Sequence, residues 1–63
     1  MKHAIYHRRP GEKKWLRWTA NKDSADKTVE LWEKYWQKYT HMEWALFEIE
    51  NKETKRFVKR LGE

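Results

Sequence analysis

Five tryptophans in a chain of 63 residues limit the folds open to it more than any other feature. Tyr and Phe residues complete an aromatic set of Trp15, Trp18, Trp32, Trp36, Trp44, Tyr6, Tyr35, Tyr39, Phe47 and Phe57. A domain this short buries only about 60% of its unfolded surface. Without Cys no disulfide can compensate, so rings that bury roughly 150–250 Å² each are the remaining means of building a core. We therefore expect one small domain spanning residues 1–63, with several Trp residues inside it.

Charge is distributed unevenly along the chain. Residues 1–22 carry seven Lys or Arg and one acid, residues 23–50 carry three Lys and seven acids, and residues 51–63 carry five Lys or Arg and two acids. Both ends are therefore basic and the middle is acidic, within a net charge of +5. Such asymmetry indicates either an electrostatic partner or complementary charges between elements of the same fold.

A turn dipeptide, Pro10-Gly11, separates two segments with strand character, residues 3–9 and 13–19. A turn centred there places Tyr6 opposite Trp15. Alternation along the strands divides their side chains between two faces. One face carries His3, Ile5, His7, Lys14, Leu16 and Trp18, and the other carries Ala4, Tyr6, Arg8, Lys13, Trp15 and Arg17.

The clearest periodicity in the chain follows Asp23 and Ser24, either of which can cap a helix. Apolar residues then recur in steps of four, three, four and three, at Ala25, Val29, Trp32, Trp36 and Tyr39. This spacing predicts a helix with one face packed on the core. Thr40-His41 is expected to close the helix.

Two further strand segments, residues 42–50 and 55–61, flank a predicted four-residue turn at 51–54. That turn places Phe47 opposite Val58 and Glu48 opposite Phe57. One face of this hairpin carries Ala45, Phe47, Ile49 and Val58, and the other carries Trp44, Leu46, Phe57 and Leu61. Both faces are therefore apolar.

The order of elements predicts an α+β fold of the ββαββ type. A right-handed crossover from the second strand to the third leaves room for the first strand between them. The expected structure is a four-stranded antiparallel sheet, order 2-1-3-4, with the helix packed on one face. The two edge strands are rich in Lys and Arg, which discourages unwanted pairing of edges.

One helix covers only one face of such a sheet, so aromatic groups remain on the other. The candidate set for that uncovered face is Tyr6, Trp15, Trp44 and Leu46, with a basic rim of Arg8, Lys13, Arg17 and Lys59. A large apolar surface with a polar rim usually marks an interaction site. Which face of each hairpin meets the helix is left open by the sequence.

Three partners suit such a surface, and nucleic acid is the leading hypothesis. Aromatic rings stack on the bases of single-stranded DNA or RNA, and Arg and Lys neutralise phosphates. A second hypothesis is a protein partner, because Trp, Tyr and Arg are enriched at binding hot spots. The composition also resembles that of short Lys- and Trp-rich accessory proteins of phages and mobile elements, which would imply a host protein as partner. A third hypothesis is a homodimer through the open face.

No arrangement of nucleophile and base predicts an enzyme. Ser24 is explained by capping, and His3 and His7 are about 13 Å apart along a strand, too far to share a metal. We therefore expect no catalytic residues, no metal and no cofactor. The chain has neither an apolar run near the roughly 18 residues of a membrane span nor a signal-peptide core. With no Cys, a soluble cytoplasmic protein that does not bind membranes is the expectation.

Overall fold

The structure is a computed structural model that describes residues 2–19, 21–39, 41–51 and 54–62. Its regular elements are β1 Lys2–Arg8, β2 Leu16–Arg17, α1 Ala25–Tyr35, a 3₁₀ helix Trp36–Tyr39, β3 Glu43–Ile49 and β4 Lys55–Leu61. The four strands form one antiparallel sheet in the order β2-β1-β3-β4, with α1 on one face. The predicted α+β class, strand order and single packed helix are confirmed.

The start of α1 is stabilised by Ser24, one of the two predicted caps. Its hydroxyl accepts a hydrogen bond from the backbone amide of Lys27 at 3.3 Å, and the Asp26 carboxylate adds negative charge to the first turn. The α-helix ends at Tyr35 and tightens into the 3₁₀ helix, earlier than predicted. Thr40, predicted to close the helix with His41, lies outside the described residues.

The first hairpin pairs in a different register from the predicted one. Tyr6 lies opposite Arg17, not Trp15, and β2 is only two residues long. The Pro10-Gly11 turn does form, because the Glu12 amide donates to the Arg9 carbonyl at 3.1 Å and Gly11 has φ 92°. Pro followed by a Gly of positive φ is the pattern of a type II turn, whose twist splays the flanking strands. A shift of two residues keeps every side chain on its predicted face.

The second hairpin contains a β-bulge that was not predicted from the sequence. Trp44 lies opposite Leu61 and Leu46 opposite Lys59, but Phe47 then lies opposite Phe57. Val58 is therefore the additional residue, so the predicted pairing of Phe47 with Val58 is wrong near the turn. The bulge moves Phe57 onto the face of Phe47, whereas the prediction had placed it with Trp44.

The sheet has an apolar cluster on each face. The cluster under the helix contains the buried residues Ile5, Trp32, Trp44, Leu46 and Leu61, with Trp18, Ala25, Val29, Trp36 and Met42 packed against them. The cluster on the opposite face contains Ala4, Tyr6, Ala45 and Phe47, with Trp15 and Ile49 alongside. β1 and β3 are thus buried on both faces, as the two-sided apolar pattern of the sequence requires.

The helix contributes one fully packed Trp and one at the periphery. Trp32 is 6% exposed, whereas Trp36 is half-buried and stacks on Trp32 with ring centres 5.3 Å apart. Tyr35 is 45% exposed on the same helix. The helix is therefore less deeply buried towards its C-terminal end.

Replacing Trp32 with Ala should lower the free energy of unfolding by about 3–5 kcal/mol, because it removes a large ring from the core. The matched control is Tyr35→Ala, which should change stability by less than about 1 kcal/mol because the ring is half exposed. Urea denaturation followed by far-ultraviolet circular dichroism measures both. Equal midpoints for the two variants would contradict the assignment of Trp32 to the core.

Candidate nucleic-acid interface

The face of the sheet opposite α1, here called the basic face, is built around Phe47. Its ring centre lies 4.7 Å from that of Tyr6, 5.7 Å from that of Trp15 and 5.7 Å from that of Phe57. Ala4 and Ala45 are fully buried beside these rings. Small side chains at the two central strand positions leave room for the rings to lie over the sheet.

Cationic side chains cover this aromatic layer. The Arg8 guanidinium lies 4.2 Å from the centre of the Trp15 ring, and the Lys55 ammonium lies 5.2 Å from the Tyr6 ring and 5.7 Å from the Phe47 ring. Arg17 donates from Nη2 and Nε to the Tyr6 hydroxyl at 3.1 and 3.3 Å. Tyr6 and Phe47 are consequently only 7% and 5% exposed without a helix above them.

One carboxylate organises the cations on one side of the face. Glu43 accepts hydrogen bonds from Arg60 at 2.6 Å and from Arg8 at 3.3 Å. Partial burial acts to raise the pKa of Glu43, but the hydrogen bonds and charges of Arg60 and Arg8 outweigh it and hold the pKa below its ordinary value. Glu43 is therefore ionised at neutral pH and fixes Arg8 over Trp15.

The basic face carries a strong excess of positive charge. Register and contacts place five cationic side chains there, Lys2, Arg8, Arg17, Lys55 and Arg60. Glu43 is the one carboxylate on this face within the described residues, which leaves a net charge of +4. The chain as a whole has a net charge of +5, so this face concentrates most of the imbalance.

The structure brings together four of the eight residues predicted for this face and its rim, and places the other four elsewhere. Tyr6, Arg8, Trp15 and Arg17 share the basic face. Lys13 lies in the loop between β1 and β2, outside the ladder. Lys59 lies opposite Leu46, whose side chain belongs to the cluster under the helix.

The placement of Trp44 and Leu46 on the uncovered face is wrong. Trp44 is 3% exposed and packs edge-on against Trp18 at 4.9 Å and Trp32 at 6.2 Å, beneath α1. The pairing of β1 with β3 decides this, because it sets Ile5 opposite Leu46 on the helix side. Phe47, on the other side of β3, takes the position predicted for Trp44.

Three members of the site were not predicted from the sequence: Phe57, Lys55 and Arg60. Lys55 and Arg60 lie on an edge strand, where their charge had been explained as protection against pairing. The alternating apolar pattern of Ala45, Phe47 and Ile49 was the available signal for this face. This pattern marks an apolar face of β3, but it does not show what packs against that face.

On the helix side of the sheet, Glu48 contacts two basic side chains, and His7 packs against Trp44 with ring centres 5.5 Å apart. Glu48 accepts from Arg56 at 2.8 Å and lies 3.8 Å from His3 Nε2. Burial lowers the pKa of His7, so its imidazole is neutral at neutral pH. Within residues 2–19, 21–39, 41–51 and 54–62 there is no group of three or more His, Cys, Asp or Glu residues that could hold a metal ion.

No known protein family, no curated protein and no solved structure matches this chain. In the part of the chain that the structure describes, no helix is long and apolar enough to cross a membrane.

Replacing Glu43 with Gln should change how stability depends on pH. The folded pKa of Glu43 is lowered, so its contribution is present above the ordinary carboxyl pKa and is lost as the pH falls through the folded value. Urea midpoints measured from neutral to acid pH should therefore fall less steeply for Glu43→Gln than for the parent. Glu30→Gln, at an exposed helix position, is the control and should follow the parent. Parallel curves for all three proteins would contradict the anchoring role.

Proposed function

We propose that this protein is a non-enzymatic binding protein that takes single-stranded nucleic acid on its basic face. The supporting observation is the layer of cations held over aromatic rings, with a net charge of +4 on one side of a small sheet. Phosphates are attracted by the cations, and unpaired bases stack on the accessible rings. In keeping with the absence of Cys, we place this activity in the cytoplasm.

The cations are spaced across the sheet so that they can contact successive phosphates of a sugar–phosphate backbone. Arg17 lies at one side of the sheet on β2, Lys55 and Arg60 lie at the opposite edge on β4, and Arg8 lies between them. A strand crossing the face would therefore meet positive charge along its whole path. Each neutralised phosphate releases counterions, and the logarithm of the affinity falls by about 0.7 per phosphate for each tenfold rise in salt.

Base stacking would use Trp15 and Phe57, not the buried rings. Tyr6 and Phe47 are covered, but Phe57 is 48% exposed and Trp15 is half-buried. Both contact Phe47, so the two stacking surfaces flank one buried ring. Arg8 occupies one face of Trp15 and would place a charged partner beside a stacked base.

A protein partner is the second candidate, favoured by exposed apolar side chains on β4. Phe57 and Val58 are both about half exposed at the edge of the sheet. The bulge and the basic side chains of this strand oppose the addition of another strand, so an acidic protein surface is the better match. A homodimer through this face is less favoured, since Arg17 and Lys55 already cover the aromatic rings within one chain.

Removing cations from the basic face should weaken binding of a fluorescent single-stranded oligonucleotide. Arg17→Gln and Lys55→Gln should each raise the Kd by about fivefold, equivalent to roughly 1 kcal/mol, and reduce the salt slope by about 0.7. Lys27→Gln removes the same charge from the helix, on the other side of the molecule, and should leave the Kd within about twofold. Fluorescence anisotropy at several salt concentrations measures all four proteins.

Two outcomes would contradict the proposal. One is no detectable binding by the parent at low salt, and the other is an equal loss in Lys27→Gln. Binding of an acidic protein, but not of the oligonucleotide, by the same basic-face cations would favour the second candidate.

Replacing Trp15 with Ala should remove one stacking surface and weaken oligonucleotide binding by about 1–3 kcal/mol. The matched control is Trp36→Ala, because Trp36 is also half-buried but lies on the helix side of the sheet. Anisotropy titrations, with circular dichroism to verify that both variants are folded, test this comparison. Equal affinities for the two variants would show that Trp15 does not stack on a base.

A further inference from the structure

A concave site lies where the loop between β1 and β2 approaches Met42. The cavity has a volume of about 240 Å³. Arg8, Arg9 and Lys14 supply three cationic side chains to its wall, while Leu16 and Met42 supply an apolar surface. Glu12 is the one acidic side chain in this wall, and His7 completes it.

A wider depression of about 530 Å³ continues from this cavity. The two share Arg9 and Met42, and the depression adds Lys38, Tyr39 and His41 from the end of the 3₁₀ helix and the segment that follows. We call the cavity and the depression together the loop cleft. Its size is in the range of sites that hold small molecules.

Two cations of the loop cleft, Arg9 and Lys14, have no ion-pair partner in the part of the chain that the structure describes. They lie on either side of the turn at Pro10-Gly11, which holds both charges at one end of the sheet. By contrast, Arg8 is already engaged by Glu43 and Trp15. Two cations that line one cavity and form no ion pair among the described residues are suited to a group that carries more than one negative charge.

The apolar part of the cleft is suited to a flat ring. Tyr39 is 48% exposed and Leu16 is 51% exposed, although both are large apolar side chains. Met42 lines both parts of the cleft, together with Leu16 in one and Tyr39 in the other. An aromatic ring and a thioether are favourable surfaces for a planar heterocycle.

We infer that the loop cleft binds the terminal phosphate monoester of a nucleotide. Arg9 and Lys14 hold the dianionic phosphate, and the base lies against Met42 and Tyr39 in the wider depression. Binding of a free mononucleotide is independent of the function proposed above. The same site would also take the phosphate at the end of a bound strand, an inference that rests on the proposed function. Arg8 connects the two sites because it lines the cleft and also covers Trp15.

Titration with thymidine monophosphate, followed by amide NMR shifts, tests the inference. The parent should show saturable shifts at His7, Lys14, Leu16 and Met42. Thymidine without phosphate should bind at least about tenfold more weakly, as should thymidine monophosphate to Lys14→Gln. Lys27→Gln, which removes the same charge from the helix, should bind like the parent. No saturable shifts, shifts confined to the basic face, or equal binding of thymidine would overturn the inference.

A second comparison distinguishes binding in the loop cleft from binding on the basic face. An oligonucleotide with a 5′-phosphate should bind the parent several-fold more tightly than the same oligonucleotide with a 5′-hydroxyl, and Lys14→Gln should abolish the difference. Tight binding of both oligonucleotides without shifts from thymidine monophosphate would overturn the cleft and leave the proposed function standing. Saturable mononucleotide binding in the cleft, with no binding of the 5′-hydroxyl oligonucleotide, would support the cleft and overturn the proposed function.

Discussion

A sheet that is apolar on both faces but has only one helix must cover its second face with its own side chains. In this protein the pairing of β1 with β3 creates that requirement, because both central strands are buried on both sides. Phe47 and Tyr6 form the second cluster, and Arg17 and Lys55 lie over it. Long cationic side chains can do this because their stems are apolar while their charged ends remain in water.

The stability of the second cluster and the positive charge of the basic face depend on the same side chains. The side chains that shield the aromatic rings from water are the same ones that concentrate a net charge of +4 on one face. Glu43 holds Arg8 and Arg60 in place, so part of the positive surface is ordered by contacts within the chain itself. A sheet face that is shielded by Arg and Lys side chains is necessarily electropositive. This accounts for the combination of many basic and many aromatic residues in so short a chain.

The fold could be predicted from the sequence to a large extent, but the candidate site could be predicted only in part. Tyr6, Arg8, Trp15 and Arg17 were assigned to one face correctly, because alternation along a strand survives a two-residue change of register. Trp44 was assigned to the wrong face, since the pairing of β1 with β3 depends on contacts between strands that are distant in sequence. Phe57 was also assigned to the wrong face, because a bulge at Val58 adds one residue to the strand.

The sequence by itself determined the element order, the strand order and the face of the helix that packs on the sheet. These follow from local periods of two and 3.6 residues and from the right-handed crossover. Only the tertiary structure decided which side of β3 meets the helix and therefore which Trp residues are accessible. The reason is physical: both faces of the second hairpin are apolar, so either could have packed beneath α1. The choice is made by the register of β1 against β3, which sets Ile5 beside Leu46 and leaves Phe47 to the cations.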